Sequence, residues 1–288
     1  MVGFEQFAVR LSLGFGLSAL IGCAAYRRGL LCRSGVVGAL LIGTVTVGLG
    51  GWSWGILLIA FFISSSAFSQ VDGALKESLA EKFSKGSRRD LAQTLANGGL
   101  GALIASLHFL APVPWMWVAF SAAIATVTAD TWATELGVLS RSRPRLITSG
   151  KEVETGTSGG ITAMGISASL AGAMFIGLLA AALTWMGDFK GIGIGAPWNA
   201  AGVFLVVALA GLFGSLFDSW IGATVQAVYF CAACGKETEH HPTHRCGSPT
   251  RLLRGWRWLD NDGVNFLSSL AGAVVAVGAL FGVEVWQN

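Results

Sequence analysis

Asp130, Glu135 and Asp218 interrupt stretches of chain that are otherwise almost free of charge, so their chemistry is the first thing to explain. A carboxylate inside an apolar helix costs about 2.5–3.5 kcal/mol even on permissive scales, and such residues are functional candidates by default. The plain alternative is a wetted helix end, since each lies within a few turns of a predicted boundary. Asp72, Asp90, Asp260 and Asp262 fall on the same predicted side. Carboxylates gathered opposite basic residues make the composition expected of a site for Mg²⁺ and phosphates.

Two further groupings carry chemistry. The loop from Ser149-Gly150-Lys151 to Gly156-Thr157-Ser158-Gly159-Gly160 runs straight into an apolar segment. Backbone N–H groups at a helix start bind phosphate oxygens, glycine permits close approach, and Lys151 adds a positive charge. A plain flexible connection fits the same residues, and no Walker pattern occurs in the chain. Cys231-x-x-Cys234 is followed by His240, His241, His244 and Cys246, a spacing that reads as a structural Cys₃His zinc site on Cys231, Cys234, His244 and Cys246. His240 or His241 is an alternative nitrogen ligand. Cys23 and Cys32 have no obvious partner, and His108 reads as an interfacial residue.

The elements that must position these groups are membrane spans. With 53% hydrophobic and 12% charged residues, the chain departs far from the roughly 25% charged content of a soluble domain. The 40 glycines show no triplet period and fit close helix packing in lipid. A membrane helix needs about 20 mostly apolar residues. Eight such segments are predicted, near 4–25, 35–51, 54–70, 91–110, 115–137, 160–186, 198–228 and 263–286. The second is short, and the seventh is long enough to tilt or to extend past the bilayer.

All of the 19 lysines and arginines except Arg10 and Lys190 fall in segments 26–34, 71–90, 138–159 and 229–262. The second of these holds Lys76, Lys82 and Lys85. The positive-inside rule places these four segments in the cytoplasm and both termini outside. Without a basic stretch ahead of its apolar run, the first segment reads as a span rather than a cleaved signal, despite Leu20-Ile21-Gly22-Cys23. Most of the 11 tryptophans, including Trp52, Trp54, Trp115, Trp117 and Trp198, fall near predicted interfaces as belt anchors. The net charge of +3 implies no nucleic-acid partner.

The expected fold is therefore all-α: one polytopic bundle over residues 1–288 with a Cys/His loop at 229–262 inserted before the last span. It also repeats itself. Asp130-Thr131-Trp132 and Asp218-Ser219-Trp220 close hairpins whose first helices open on Asn97-Gly98-Gly99 and Ser158-Gly159-Gly160, and a weaker copy runs from Ser34-Gly35 to Ser64-Ser65-Ser66. Repeated helical hairpins in membrane proteins often meet at a central site.

Taken together, Ala129-Asp130-Thr131-Trp132-Ala133-Thr134-Glu135-Leu136-Gly137, Pro144-Arg145-Leu146-Ile147-Thr148, Gly156-Thr157-Ser158-Gly159-Gly160, Asp218-Ser219-Trp220-Ile221-Gly222-Ala223 and Asn261-Asp262-Gly263-Val264-Asn265-Phe266 resemble the motifs of the transmembrane protein 19-like family. Arg89-Asp90-x-x-Gln93 with Asn97-Gly98 resembles it too. That family includes the phytyl-phosphate kinase of plants and cyanobacteria. The resemblance implies transfer of a phosphoryl group from a nucleoside triphosphate, CTP by analogy with related kinases or else ATP, to an isoprenoid monophosphate such as phytyl or geranylgeranyl phosphate. On that implication Asp130 and Asp218 hold Mg²⁺, with Asp262 a third ligand. Lys151 and Arg89 neutralise phosphate charge, while Asn97, Asp90, Thr157, Gly159 and Asn265 contact phosphates or nucleotide. A transporter of an ion or small metabolite, a prenol kinase or lipid cytidylyltransferase, and a scaffold are the competing classes. A transporter expects charge near the midplane and a path to both faces.

Overall fold

The computed structural model describes residues 4–71, 88–186 and 199–287; Asp72, Lys76, Lys82, Lys85, Lys190 and Trp198 lie outside them. Eight helices account for most of the described chain. They are α1 Phe4–Arg27, α2 Arg33–Val45 with a π-helical turn Thr46–Gly50, α3 Trp52–Ser69, α4 Leu91–Leu110, α5 Trp115–Gly137, α6 Ala163–Met186, α7 Ala200–Thr224 and α8 Asn261–Gln287. Each predicted segment coincides with one helix, and six, all but α4 and α5, are long and apolar enough to cross a membrane. The seventh segment stops earlier than predicted, at Thr224, because the chain enters a strand at Val228. Large apolar side chains such as Leu20, Leu178, Leu209 and Val274 stay exposed on the helix surfaces, as lipid contact allows.

The lower hydropathy of α5 follows from its place at the centre. Every residue from Met116 to Ala129 is buried, and α3, α4, α6, α7 and α8 all pack on it. A helix enclosed by protein needs no lipid-compatible face, so Ser121, Thr126 and Thr128 are tolerated among its alanines. Close approach depends on small residues: a Cβ on Gly211 of α7 would stand 2.7 Å from that of Ala125.

Side chains cap the starts of two of these helices. Asp90 caps α4 by accepting the Gln93 N–H at 2.9 Å while Gln93 Oε1 accepts the Asp90 N–H at 3.1 Å, a reciprocal arrangement that satisfies two otherwise orphaned donors. Asn199 Oδ1 caps α7 by accepting the Gly202 N–H at 2.9 Å.

One end of the bundle gathers the basic connections. The Arg89 N–H donates to Leu30 O at 3.0 Å and the Cys32 N–H to Arg89 O at 3.1 Å, and Ser69 Oγ at the end of α3 donates to Glu135 Oε1 on α5 at 2.7 Å. A two-stranded hairpin, β1 Arg145–Leu146 with β2 Gly160–Ile161, lies in the connection to α6. The Cys/His segment is a three-stranded antiparallel sheet in the order β4-β3-β5, with β3 Val228–Cys231, β4 Lys236–Thr238 and β5 Thr250–Arg254. Toward the other end of the bundle Trp54 packs on Trp117 and Phe120, and His108 is buried against Trp54 with ring centroids 5.1 Å apart. His108 thus faces the interior of the bundle, close to the end of α4.

Candidate functional site

Asp130 leaves α5 one residue beyond its fully buried stretch, and Asp218 occupies the matching place near the end of α7. Both line one cavity of about 140 Å³, together with the loop Thr155–Thr162, Ser169 of α6, Asn261 of α8, Gln226 just beyond α7, and Glu239 of the Cys/His segment. The two carboxylates are close enough to act on one another electrostatically. Asp218 Oδ2 and Ser169 Oγ are buried and meet no hydrogen-bond partner among the described residues. Buried polar atoms are nearly always satisfied, so these two orphans facing a carboxylate-lined cavity fit a polar, cation-bearing occupant.

The triplets that end α5 and α7 are alike only in their aspartates. Trp132 is wedged inward, its Nε1 donating to Ser64 Oγ at 3.3 Å and its ring stacked on Phe175. Trp220 is exposed and stacks on Phe217 of its own helix. The Ser64 contact joins α3 to α5.

The glycine-rich loop reaches the cavity in a different way from that expected. Gly159 has φ +81°, which L side chains rarely adopt, and a Cβ there would collide with the backbone of Ala223 on α7. Glycine is what allows the loop to lie on α7. Its donors, however, are partly spent: the Thr157 N–H bonds to Glu154 O and the Gly160 N–H to Thr157 O, at 3.1 and 3.0 Å. Thr162 Oγ1 takes the Gly165 N–H at the start of α6. Thr157 and Gly159 line the cavity, but these three N–H groups do not make an open phosphate cradle.

The remaining predicted residues separate. Lys151 is exposed near the tip of the β1–β2 hairpin and does not line the cavity. Asp90 is engaged as the cap of α4. Asp262 and Asn265 lie in the first turns of α8, beside the cavity-lining Asn261 but not among the lining residues. Arg89 and Asn97 line a second, mostly apolar cavity of about 80 Å³ among α1 to α4. There the Arg89 guanidinium sits 5.7 and 5.8 Å from the ring centroids of Phe61 and Phe62. Burial pulls its pKa below the ordinary value, and the negative charge of Glu135 opposes that shift.

The four predicted zinc ligands converge, with ligand atoms all within 4.8 Å of one another. Cys231 Sγ lies 3.7 Å from Cys246 Sγ, and His244 Nδ1 lies 3.3 Å from Cys246 Sγ and 3.5 Å from Cys234 Sγ. Ligands at about 2.3 Å for sulfur and 2.0–2.1 Å for nitrogen in a tetrahedron stand roughly 3.5–3.8 Å apart, so the cluster could bind a metal such as zinc. Hydrogen bonds from Ser248, then His244, bring the Cys246 thiol down to about 6, whereas the bond to Cys246 pushes Cys234 up to about 11. His244 supplies the nitrogen. His241 stacks on Tyr229, with ring centroids 4.4 Å apart, and His240 lies edge-on to His244.

The family model for integral membrane protein DUF92 matches residues 16–273. The chain belongs to that family. Among its relatives is Protein PGR of Arabidopsis thaliana, 32% identical over 282 residues, covering 91% of this chain and 93% of that protein. An uncharacterised membrane protein of Methanocaldococcus jannaschii is 33% identical over 218 residues, 76% of this chain and 84% of that protein. Protein VTE6, chloroplastic, of Arabidopsis thaliana is 27% identical over 252 residues, 86% of this chain and 64% of that protein. No solved structure matches. As a DUF92 member this is an integral membrane protein, and its cavity lies at the end of the bundle that carries the basic connections.

Gln226, Glu239 and Ser169 were not foreseen as site residues. Gln226 Nε2 donates to Glu239 Oε1 at 2.8 Å, and Ser158 Oγ donates to the same oxygen at 3.3 Å. Arg254 of β5 donates from Nη1 to Gly222 O at 2.7 Å and from Nη2 to Ser158 O at 3.2 Å. Its burial lowers its pKa, with Glu237 acting the other way. The nearest signal in the sequence was an acidic residue set among zinc-ligand spacings, which reads equally well as a solvated loop.

Proposed function

We propose that this DUF92 protein is a membrane-embedded kinase that transfers the terminal phosphoryl group of a nucleoside triphosphate, with CTP the preferred donor, to an isoprenoid monophosphate such as phytyl or geranylgeranyl phosphate. The observation that carries the reading is that Asp130 and Asp218, from two separate helices, face one cavity near the basic end, with a buried Asp218 oxygen left unsatisfied. The family resemblance, with Protein VTE6 among the relatives, supports the substrate class. Positive-inside asymmetry supports a site on the cytoplasmic face.

In this reading Asp130 and Asp218 hold the nucleotide's Mg²⁺, with Asp262 and Asn265 supporting it from α8. A bound divalent cation supplies charge neutralisation for the triphosphate. Thr157 and Gly159 confine the phosphates against α7, and Lys151 attracts them from the hairpin. Arg89 and Asn97 receive the acceptor lipid in the neighbouring apolar cavity. Arg89 is within electrostatic reach of Glu135, which lies about one and a half turns beyond Asp130. An acceptor phosphate oxygen attacks the γ-phosphorus, the bond to the β–γ bridging oxygen breaks, and the nucleoside diphosphate leaves. That oxygen is already anionic, so no general base is required, and positioning with charge neutralisation can carry the catalysis. A structural zinc on Cys231, Cys234, His244 and Cys246 braces the segment.

Every residue from Met116 to Ala129 on the central helix is buried in packed protein, which argues against a transport path along α5. The test is purified protein supplied with Mg²⁺, CTP or ATP, and phytyl or geranylgeranyl monophosphate, with the prenyl diphosphate sought by mass spectrometry. Lipid cytidylyltransferase or prenol kinase activity is recognised in the same assay by its product. No turnover with any pairing, or full activity in Asp130→Asn and Asp218→Asn, overturns the assignment.

A further inference from the structure

We propose that the Cys/His sheet is a working part of the cavity: it delivers Glu239 into the cavity lined by Asp130 and Asp218, where this third carboxylate helps hold the divalent cation. The proposal rests on the kinase reading only for the identity of that cation's partner, a nucleoside triphosphate.

Glu239 follows β4 directly, and the chain around it is held on both sides. The His240 N–H bonds to Thr238 Oγ1 at 3.1 Å, and Thr250 Oγ1 of β5 donates to His240 O at 3.0 Å. Cys231 and Cys234 precede Glu239 in sequence while His244 and Cys246 follow it, so a metal on those four ligands closes the segment into a ring with Glu239 in its middle. From that ring Glu239 lines the same cavity as both aspartates and acts electrostatically on Asp218. Its Oε1 is aimed by donors from two different places, Gln226 just beyond α7 and Ser158 of the glycine-rich loop. Asp130 and Glu239 both act on Asp218 as like charges, and a divalent cation is the occupant that turns such repulsion into binding. Ser169, 1% exposed and lining the same cavity with its Oγ unpartnered among the described residues, is an independent sign that something polar belongs there.

A purely structural Glu239 would serve only to tie loop to sheet, and an amide does that equally well, since its oxygen still accepts from Gln226 and Ser158. The discriminating variant is therefore Glu239→Gln in the full-length protein, purified in detergent. The readouts are zinc content per chain by elemental analysis and Mn²⁺ affinity by electron paramagnetic resonance titration, with Asp218→Asn in parallel. The expected result is unchanged zinc and at least about tenfold weaker Mn²⁺ binding in Glu239→Gln, partly restored in Glu239→Asp. Cys234→Ser is expected to lose zinc and to weaken Mn²⁺ binding similarly, because the ring carrying Glu239 opens. Wild-type Mn²⁺ affinity in Glu239→Gln, with Asp218→Asn weakened, overturns the role of Glu239 and leaves the kinase reading standing. Wild-type affinity in both variants overturns the cation site itself.

Discussion

Replacing Gly159 by alanine adds one methyl group at the point where the glycine-rich loop lies on α7. Two penalties are separable there. Holding an alanine in the left-handed region costs about 1–2 kcal/mol, and a Cβ driven against the Ala223 backbone adds overpacking of about 1–3 kcal/mol. Their sum, about 2–5 kcal/mol, lowers the population of the closed loop by roughly 30-fold to a few thousand-fold at 1.36 kcal/mol per decade. Gly150 supplies the internal control: it has φ +67° with nothing within 4 Å of its added Cβ. Gly150→Ala therefore carries the backbone penalty without the collision. The assay pairs thermal melting with initial rates of prenyl diphosphate formation. The collision alone, about 1–3 kcal/mol, makes Gly159→Ala expected to lose at least about fivefold more activity than Gly150→Ala. Equal losses in the two variants would mean that the contact between loop and α7 does not shape the cavity.

Asp130→Asn and Asp218→Asn should each retain fold and membrane insertion while losing at least about a hundredfold in rate, a loss typical of removing a charge that stabilises the transition state; wild-type rates in both refute the metal assignment. In metal-free protein the Cys246 thiol, held down to about 6 from the ordinary 9.0, contributes stability that is full above the unfolded value and disappears as pH falls through about 6. Iodoacetamide labelling of Cys246 should accordingly rise with a midpoint near pH 6 and be blocked by added zinc, and a midpoint above pH 8 counts against the hydrogen bonds assigned to it. Arg254→Met strips two donors from the Gly222 and Ser158 carbonyls and should cost about 2–4 kcal/mol, read as a lower melting temperature; no shift would show that the sheet is not clamped to the helices there.

Much of the architecture is a local property of the chain. Lipid penalises each charged residue separately, so apolar segments of span length and the clustering of Arg27, Arg28, Arg141, Arg143, Arg145 and Arg251 in the connections mark the helices without any knowledge of contacts. Metal-ligand spacing is likewise local, and Cys231, Cys234, His244 and Cys246 converge as their intervals require. The aspartates stood out because charge within an apolar helix is costly wherever the helix packs.

What only the tertiary structure decided was which of these groups face each other. Asp130 and Asp218 share a cavity because small residues such as Gly211 let α7 lie against the enclosed α5, a matter of helix approach that hydropathy does not encode. Arg89 and Asn97 belong to another cavity, and Asp90 is occupied in capping α4, although their types suited a phosphate site equally well. Glu239 and Gln226 enter the cavity only because β4 pairs with β3 and Arg254 pins the sheet to α7. Residue type and spacing thus reported what each part of the chain can bind. Side-chain direction and distance, set by packing among segments far apart in sequence, selected the groups that act together.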